Sequence, residues 1–399
     1  MIAPYIKEMI TSKSASAIRK MFEQGKILKA KYGDDKVFDF SLGNPDLDPP
    51  GEVLNAIEEI AKDKSHGCHG YMSNAGYDEA RQAMADKETL EQGIKVTSDC
   101  VVMSVGAAAA INVVFKTLVD SGEEVIVPSP FFVDYRNYIK NYNGKLVEVK
   151  TTEDFSLDIN NIKNALNSKT AAVLINSPNN PTGRIYSEED IKNLCAALNE
   201  FGDKTGRYPY LICDEPYRAI TYDNKKVPSV FDKYDYSVIV TSFAKNLSIP
   251  GERIGYICVN PNCPEKADFI GGCTFATRVL GYVNAPGFMQ KVVAKSWNAK
   301  CDYSAYAKRR DLLKDVLDNA GLKYADPEGA FYVFCKVPES YGDDDAAFVE
   351  VLEKNLILCP GGAGFGMKGW FRICYCVDEK SIINSRDAFY KAAHTVKGE

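Results

Sequence analysis

Lys245 stands where a lysine could act as a nucleophile. It comes three residues after the apolar run 236–242, which has the composition of a buried strand. Burial disfavours a charged amine, so the pKa falls and the neutral amine can attack an aldehyde. Ser242 offers a hydroxyl three residues earlier, and Arg253 offers a planar guanidinium fork suited to a phosphate eight residues later. Taken singly, a solvated lysine and a surface arginine would explain the same residues.

Three other apolar runs also end in residues that carry chemistry. One leads into Pro-Asn-Asn-Pro-Thr-Gly at 178–183, one ends in Asp214-Glu-Pro-Tyr217, and one opens onto Gly106 and four alanines. Functional residues of open α/β sheets gather where strands deliver their carboxyl ends. We therefore expect these motifs to lie together with Lys245.

Two segments have spacings that a metal site could use. Cys374 and Cys376 share one face of the strand-like FRICYCV, and His66 and His69 flank Cys68 in SHGCHGY. No second cysteine pair or nearby histidine completes four ligands around Cys374 and Cys376. We expect no metal site, and a loop with incidental histidines is the plainer interpretation of 65–71.

The composition is that of an ordinary globular protein. The chain has 399 residues, 45% hydrophobic and 26% charged, and a net charge of -6. Without a dense run of Lys and Arg, a nucleic acid or an anionic membrane is not an expected partner. The first residues lack a signal-peptide pattern, and the twelve cysteines are scattered through apolar segments. These features predict reduced core thiols and a cytoplasmic location.

Short apolar runs alternate with segments of helical period, which indicates an α/β chain with a parallel sheet and crossover helices. In one such helix Ser187 and Asp190 resemble a capping box, and an apolar stripe follows from Ile191 to Phe201. The strand-like runs are CVVMSV, EEVIVP, KLVEVK, AAVLINS, YPYLICDE, YSVIVTS and RIGYICV.

After about residue 285 the pattern changes to one long helical stretch, 287–321, followed by shorter elements. A second domain is expected to begin within that helix. We predict a large domain over 46–290 and a small domain built from 1–45 and 291–399.

The segment SFAKNLSIPGERIG resembles the motif around the cofactor-bearing lysine of the aspartate-aminotransferase-like family of pyridoxal-phosphate enzymes. The resemblance extends from SLGNPD at 41 to WFRICY at 370, with motifs in the family's order. It implies fold type I, with a mostly parallel seven-stranded sheet flanked by helices and a smaller α+β domain from both termini. It also implies an aminotransferase in which Lys245 holds pyridoxal 5'-phosphate as a Schiff base.

The resemblance assigns further roles around the cofactor ring. Asp214 is expected to face the pyridine nitrogen and keep the ring protonated, which makes it an electron sink. Tyr217 and Asn180 are expected to donate to the phenolic oxygen, with Asn179 as the competing choice for Asn180. Phe132 matches the aromatic residue that stacks on the ring, with Phe131 as its competitor.

The phosphate is expected at Gly106, Ala107 and Ala108, where free backbone N–H groups open a helix. Family members often have hydroxyl residues in this loop and just before the lysine, where this chain has Ala107 or Ala108 and Ala244. Binding of the phosphate should therefore depend on backbone amides, Ser242 and Arg253. A run of small residues would also suit close packing of helix on sheet.

The remaining roles concern the substrate and a second subunit. Arg372 matches the arginine that binds the substrate carboxylate, and Gly43 and Asn180 lie beside the same group in the family. Tyr71 matches a tyrosine that reaches the cofactor phosphate of the neighbouring subunit, so a homodimer is expected.

The amino acid that enters is left open by the sequence. Aspartate is the leading candidate by family frequency, yet Ala108 stands where some aspartate-preferring relatives have a lysine. Arg278 lies about one residue away from the position of a substrate-binding arginine contributed by the partner subunit. If Arg278 does not reach the site, an apolar or aromatic amino acid is favoured.

Two other functions fit the same frame. A carbon-sulfur β-lyase would release pyruvate and ammonia from cystathionine without a keto-acid acceptor. A cofactor-binding regulator that no longer turns over would carry an added DNA-binding segment, for which the first 40 residues are too short and unpatterned.

Overall fold

The described part of the chain covers residues 2–11 and 17–398 of a computed structural model. Its strands are β1 Phe38–Asp39, β2 Val101–Ser104, β3 Glu124–Ser129, β4 Lys145–Lys150, β5 Thr170–Asn176, β6 Tyr210–Asp214, β7 Ser237–Ser242, β8 Gly255–Val259, β9 Tyr332–Lys336, β10 Ile357–Leu358 and β11 Trp370–Cys374.

The longer helices alternate with these strands. They are α1 Pro4–Thr11, α2 Ala17–Tyr32, α3 Gly51–Ala61, α4 Asp78–Gln92, α5 Gly106–Leu118, α6 Tyr135–Lys140, α7 Ile159–Ala165, α8 Glu188–Thr205, α9 Phe243–Asn246, α10 Lys266–Val279, α11 Gly287–Ser296, α12 Ser304–Ala320, α13 Asp345–Lys354, α14 Glu379–Asn384 and α15 Arg386–His394. Short 3₁₀ turns occupy Asp34–Lys36, Ser98–Cys100, Pro250–Glu252, Glu339–Tyr341 and Gly362–Phe365.

Seven strands form the central sheet, in the order β2-β8-β7-β6-β5-β3-β4. The pairs within β7-β6-β5-β3-β4 are parallel, and β8 runs antiparallel to both of its neighbours. Most of these strands are buried along their whole length, which explains their continuous apolar sequences. The predicted α/β fold with a mostly parallel seven-stranded sheet is confirmed.

Helix α8 begins as its sequence predicts. The Ser187 side chain accepts a hydrogen bond from the Asp190 backbone N–H, and the Asp190 side chain accepts one from the Ser187 backbone. Ile191, Leu194 and Leu198 are buried against the sheet. The capping box and the apolar stripe therefore fix both the start and the orientation of this helix.

A second core surrounds two small sheets near the carboxyl end. Strands β9 and β11 pair antiparallel, with Arg372 opposite Phe334, and β1 pairs with β10 in parallel. Their side chains pack with α12, α13 and α15 in one cluster that also includes Phe38 and Phe40 from the amino-terminal part.

The helical stretch expected over 287–321 is in fact two helices. Helix α11 ends at Ser296 and α12 begins at Ser304. Val292 and Val293 of α11 belong to the core of the central sheet, whereas α12 packs in the second core. We propose that the small domain begins in the 297–303 connection, because a boundary at 290/291 would divide α11.

Among the described residues, no helix combines the length and apolar character needed to cross a membrane.

Candidate active site

Three neighbouring parallel strands end at one edge of the sheet, and each ends in a polar residue. Strand β5 ends at Asn176, β6 at Asp214 and β7 at Ser242, all of them buried. The Asn176 side-chain amide donates to the Asp214 backbone oxygen at 2.8 Å, which ties two of these ends together. The structure therefore brings these strand ends together, as the sequence motifs predicted.

Lys245 lies just beyond this edge, in the single turn of α9. Its Nζ donates to the Gly43 backbone oxygen at 2.6 Å and lies 5.6 Å from the centre of the Phe331 ring. Burial lowers the pKa of the Lys245 amine, and the Arg372 and Arg253 charges act in the same direction, against an opposing effect of two nearby thiols. This is the environment that a nucleophilic amine requires.

Asp214 is a buried carboxylate whose two oxygens differ in their contacts. The Tyr135 hydroxyl donates to Oδ2 at 2.5 Å, and within residues 2–11 and 17–398 buried Oδ1 has no hydrogen-bond partner. Burial raises the pKa of Asp214 to about 7, although the hydrogen bond from Tyr135 opposes the shift. A buried acceptor without a donor is costly, so Oδ1 is suited to a ligand that brings an N–H group.

Tyr217 follows β6 by three residues, and its hydroxyl lies 2.8 Å from that of Tyr332 on β9. A side-chain carbon at Gly43 would stand 2.1 Å from the Tyr332 oxygen, so only glycine leaves room there. Gly43 thus packs closely against Tyr332, and Tyr217 and Tyr332 both belong to the second core.

The structure separates the two asparagines of the 178–183 turn. Asn179 Oδ1 accepts hydrogen bonds from the Thr182 backbone N–H at 3.1 Å and from its hydroxyl at 3.0 Å. Asn180 Oδ1 instead accepts from Arg372 Nη1 at 3.1 Å. Asn179 is occupied in holding the turn, and Asn180 points to the candidate site.

Arg372 is 2% exposed and reaches the site from β11. Besides its bond to Asn180, its guanidinium donates to the Ser41 backbone oxygen at 2.5 Å, while buried Nε has no hydrogen-bond partner among the residues that the structure describes. Its guanidinium carbon lies 4.8 Å and 5.0 Å from the ring centres of Tyr332 and Phe365. A fork held on several sides in this way is positioned for a carboxylate.

Gly106 opens α5 with a φ of 80°, a conformation that favours glycine. A side-chain carbon there would stand 2.7 Å from Arg253 Nη2, so the guanidinium lies directly against the start of the helix. Ala107 and Ala108 follow in the first turn, both half-buried, and buried Ser242 precedes α9. Free helix N–H groups beside a guanidinium suit an anion such as a phosphate.

Phe131 and Phe132 differ in their burial. Phe131 is 1% exposed, accepts Arg136 over its ring at 4.7 Å and packs in the core. Phe132 is half-buried and meets Tyr135 edge to face, with the ring centres 5.6 Å apart. Phe132 is therefore the ring with a face left for a ligand beside Asp214.

Tyr71, which was predicted to contact a cofactor, and Arg278, whose role the sequence left open, both lie on the surface. Tyr71 is 93% exposed, and exposed Arg278 has its guanidinium 5.4 Å from the Phe275 ring of its own helix. Within residues 2–11 and 17–398 neither forms a hydrogen bond or ion pair with the cluster around Lys245.

Two residues of the cluster were missed at the sequence level, Tyr135 and Tyr332. Both contact the site across long sequence separations, 79 residues to Asp214 and 115 to Tyr217. Neither stands in a recognisable motif, and the only signal was an aromatic residue near other motif positions.

As for metals, the described residues contain no group of three His, Cys, Asp or Glu side chains that could hold an ion.

The chain matches the family model for aminotransferase class I and II over residues 35–388. It is 29% identical to a probable aspartate aminotransferase of Methanocaldococcus jannaschii over 92% of this chain and 94% of that protein. An amino transferase from Eubacterium rectale superposes with a TM-score of 0.94 at 38% identity, covering 99% of this chain and 100% of that one.

The aspartate aminotransferase of Thermus thermophilus, solved with maleate, superposes with a TM-score of 0.85 at 26% identity, over 98% and 99% of the two chains. The Thermus thermophilus enzyme and this chain therefore have the same fold. With the family model spanning both cores and all the motifs, this protein belongs to the aminotransferase class I and II family.

Proposed function

We propose that the protein is a pyridoxal-phosphate-dependent aminotransferase that moves an amino group between an L-amino acid and a 2-keto acid. The observation that carries the proposal is the buried amine of Lys245, whose pKa is lowered by burial. It lies at the same sheet edge as Asp214. The family to which the chain belongs uses this cofactor.

The residues present fit the cofactor. Pyridoxal phosphate, when bound, supplies an aldehyde that condenses with amines and a protonated ring that accepts electrons from the amino-acid Cα. Lys245 would hold it covalently and then carry the proton removed from Cα. Asp214 Oδ1, which has no hydrogen-bond partner in the described part of the chain, would accept the N–H of the ring nitrogen, and the ring's positive charge would favour the ionised carboxylate.

Tyr217 and Asn180 would donate to the phenolic oxygen, and Phe132 would cover the ring with its half-buried face. The phosphate would bind to the backbone N–H groups of Gly106, Ala107 and Ala108. Arg253, whose guanidinium lies against Gly106, would neutralise its charge, and Ser242 would add a hydroxyl.

The α-carboxylate of the amino acid would bind Arg372, whose Nε has no partner in the described chain. Asn180 already accepts a hydrogen bond from the same guanidinium, so it would both orient Arg372 and lie beside the substrate. Gly43 would bring its backbone to the same carboxylate. Its oxygen already accepts from Lys245.

We propose a homodimer in which Tyr71 reaches the partner's phosphate. Tyr71 is 93% exposed, and the apolar residues Phe275, Val279 and Val283 are 55%, 48% and 37% exposed. The Asn74 side chain donates to the Val283 oxygen at 2.5 Å, so the two segments are joined. Exposed apolar residues on segments joined in this way would suit a subunit interface.

Aspartate is our leading candidate for the amino donor. The Thermus thermophilus relative was solved with maleate, a dicarboxylate. Ala108 offers no charge for a second carboxylate, so the role falls to Arg278, which is exposed and would enter the partner's site.

The proposal is tested by replacing Lys245. Lys245→Ala should abolish both turnover and the visible absorbance of the lysine-bound cofactor, whereas replacement of exposed Lys300 by Ala should change neither. An active Lys245→Ala protein that keeps this absorbance would exclude the mechanism.

Half-reactions with single amino acids identify the donor. Each amino acid is added without a keto acid, and the change in cofactor absorbance is followed. Aspartate should react faster than alanine or phenylalanine, and Arg278→Ala should slow aspartate by ~10- to 100-fold while leaving alanine unchanged, as expected for a lost charge-assisted contact. Formation of pyruvate and ammonia from cystathionine without an acceptor would instead indicate a β-lyase.

A further inference from the structure

Cys374 and Cys376 form a close pair of thiols beside the candidate active site. Cys374 ends β11, and Cys376 follows two residues later. Both lie on the same side of the chain as Arg372, because side chains of an extended segment alternate between faces. Their sulfur atoms are 3.1 Å apart, and the two residues are 0% and 4% exposed.

The backbone spacing of the pair allows a covalent bond. Two residues of extended chain separate the Cα atoms by about 6.6 Å, which is inside the range of about 4.4–6.8 Å found for disulfides. The sulfurs need to approach by about 1 Å, since a disulfide bond is about 2.05 Å long. Rotation of the two side chains about their Cα–Cβ bonds can supply this movement.

The surroundings of the pair shift the pKa values of its two thiols in opposite directions. Burial opposes ionisation of Cys374, yet the hydrogen bond from Cys376 and the Arg372 and Lys245 charges together lower the pKa of Cys374 below its usual value. Burial raises the pKa of Cys376 instead. Cys374 is therefore the better nucleophile, and Cys376 keeps its proton.

We propose that Cys374 and Cys376 are a thiol modification site that reacts with two-electron oxidants of the peroxide class and closes to a reversible disulfide. The inference rests on the contact between the two sulfurs and their shared position beside Lys245 and Arg372. It does not depend on the amino-acid chemistry proposed above.

The reaction balances with hydrogen peroxide as oxidant. The Cys374 thiolate attacks one peroxide oxygen, the O–O bond breaks, and the departing hydroxide takes a proton to become water. Cys376 sulfur then displaces the hydroxyl from Cys374, which leaves as water with the Cys376 proton as the S–S bond forms. Two thiols and one peroxide thus give one disulfide and two waters, and an external dithiol reverses the change.

The experiment uses the cofactor-loaded enzyme and reads mass, not turnover. After treatment with hydrogen peroxide the protein is unfolded, alkylated and digested with trypsin. Peptide 373–380, ICYCVDEK, contains both cysteines. It should be lighter than its reduced form by two hydrogen atoms and resist alkylation, and dithiothreitol before alkylation should restore both thiols.

An internal control comes from the same digest. Peptide 65–81 contains Cys68 alone, which has no second thiol in its peptide and should stay open to alkylation. Two alkylated cysteines in 373–380 after peroxide would overturn the proposal. Irreversible sulfinic or sulfonic acids there, without the loss of two hydrogens, would also overturn it.

Two variants separate the roles of the thiols. In Cys376→Ser the reaction should stop at a sulfenic acid on Cys374, which dimedone traps when the protein is unfolded. Cys68→Ser should form the disulfide between Cys374 and Cys376 as the unaltered protein does. Absence of a dimedone adduct on Cys374 in Cys376→Ser, or loss of the disulfide in Cys68→Ser, would contradict the assignment.

The wild-type peptide masses test the proposal even if a variant fails to fold. If Lys245→Ala proved active, the proposed function would fail while this mass change would still be expected, so the two ideas can fail separately.

Discussion

The hydroxyl of Tyr217 lies 2.8 Å from the hydroxyl of Tyr332, and this contact joins the end of β6 to strand β9. Both rings are buried, and their planes meet at 86° with the centres 5.6 Å apart. Burial raises the pKa of Tyr217, so the hydroxyl keeps its proton and can donate it in a hydrogen bond. Tyr332 thereby helps to set the direction in which Tyr217 points.

Tyr332→Phe tests this relationship. The change leaves the Tyr217 hydroxyl without its partner, and we expect the free energy of unfolding of the cofactor-free protein to fall by about 1–3 kcal/mol. The loss should be smaller with cofactor, because its phenolic oxygen can accept the hydrogen bond from Tyr217. Urea unfolding of both forms measures the difference.

Tyr324→Phe is the matched control, because that hydroxyl donates to Asp318 in an exposed pair. It should cost about 0.5 kcal/mol or less, the usual limit for a surface substitution of this kind. Equal decreases in the free energy of unfolding of the two variants would show that the contact between Tyr217 and Tyr332 stabilises the protein no more than a surface hydrogen bond does.

Asn179 and Asn180 should respond differently to replacement by alanine. Asn179 holds Thr182 through two hydrogen bonds, so Asn179→Ala should lower the free energy of unfolding by about 1–3 kcal/mol. Asn180→Ala should instead raise the KM for the amino acid, since it frees the Arg372 guanidinium.

Urea unfolding and steady-state kinetics on both variants check this pair. If Asn179→Ala gave the larger KM effect, the assignment of Asn180 to the site would be reversed.

The sheet was predictable from sequence because most of its strands are buried on both faces and read as unbroken apolar runs. Asp214 and Ser242 were predictable as site residues for a related reason, since each ends such a run at the same edge. A buried strand thus positions the residues that come directly after it in the chain.

The remaining features depend on contacts that local sequence does not encode. Tyr135 and Tyr332 reach the site only through tertiary packing, and their own segments carry no motif. The break between α11 and α12 was missed because 297–303 contains neither Gly nor Pro. The available cue was Asp302, whose carboxylate accepts from the Ser304 backbone N–H where α12 begins.

Asp214 should make the cofactor-free protein less stable as pH rises. Its pKa is about 7 in the folded protein against an ordinary value of 3.8, so the folded state binds the proton more tightly. As pH rises from about 4 to about 7, the unfolded state loses a proton that the folded state keeps, and the free energy of unfolding falls. Asp214→Asn should remove this part of the pH dependence.

The measurement is urea unfolding of the cofactor-free protein across this pH range. Exposed Asp268→Asn is the control and should keep the wild-type slope. Glu215, whose pKa burial also raises to about 7, contributes equally to the wild type and to Asp214→Asn, so the difference between them isolates Asp214. Equal slopes in those two proteins would contradict the prediction. Bound cofactor should reduce the slope, because its ring cation favours the ionised carboxylate.

Arg372→Lys should weaken binding of the amino acid more than it slows the chemical step. Lysine keeps the charge but loses the fork, which in the structure is held by Asn180 and by the Ser41 backbone oxygen. Loss of a charge-assisted hydrogen bond costs about 1.5–3 kcal/mol, so kcat/KM should fall by ~10- to 150-fold, mainly through KM.

The control is Arg207→Lys, at an exposed arginine paired with Glu123, and it should leave both constants unchanged. A primary amine without a carboxylate provides the second comparison, because its slow reaction has nothing for Arg372 to bind and should proceed equally in both proteins. If the amine slowed as much as the amino acid, Arg372 would act on the arrangement of the whole site, and the assignment of the guanidinium to the carboxylate would be wrong.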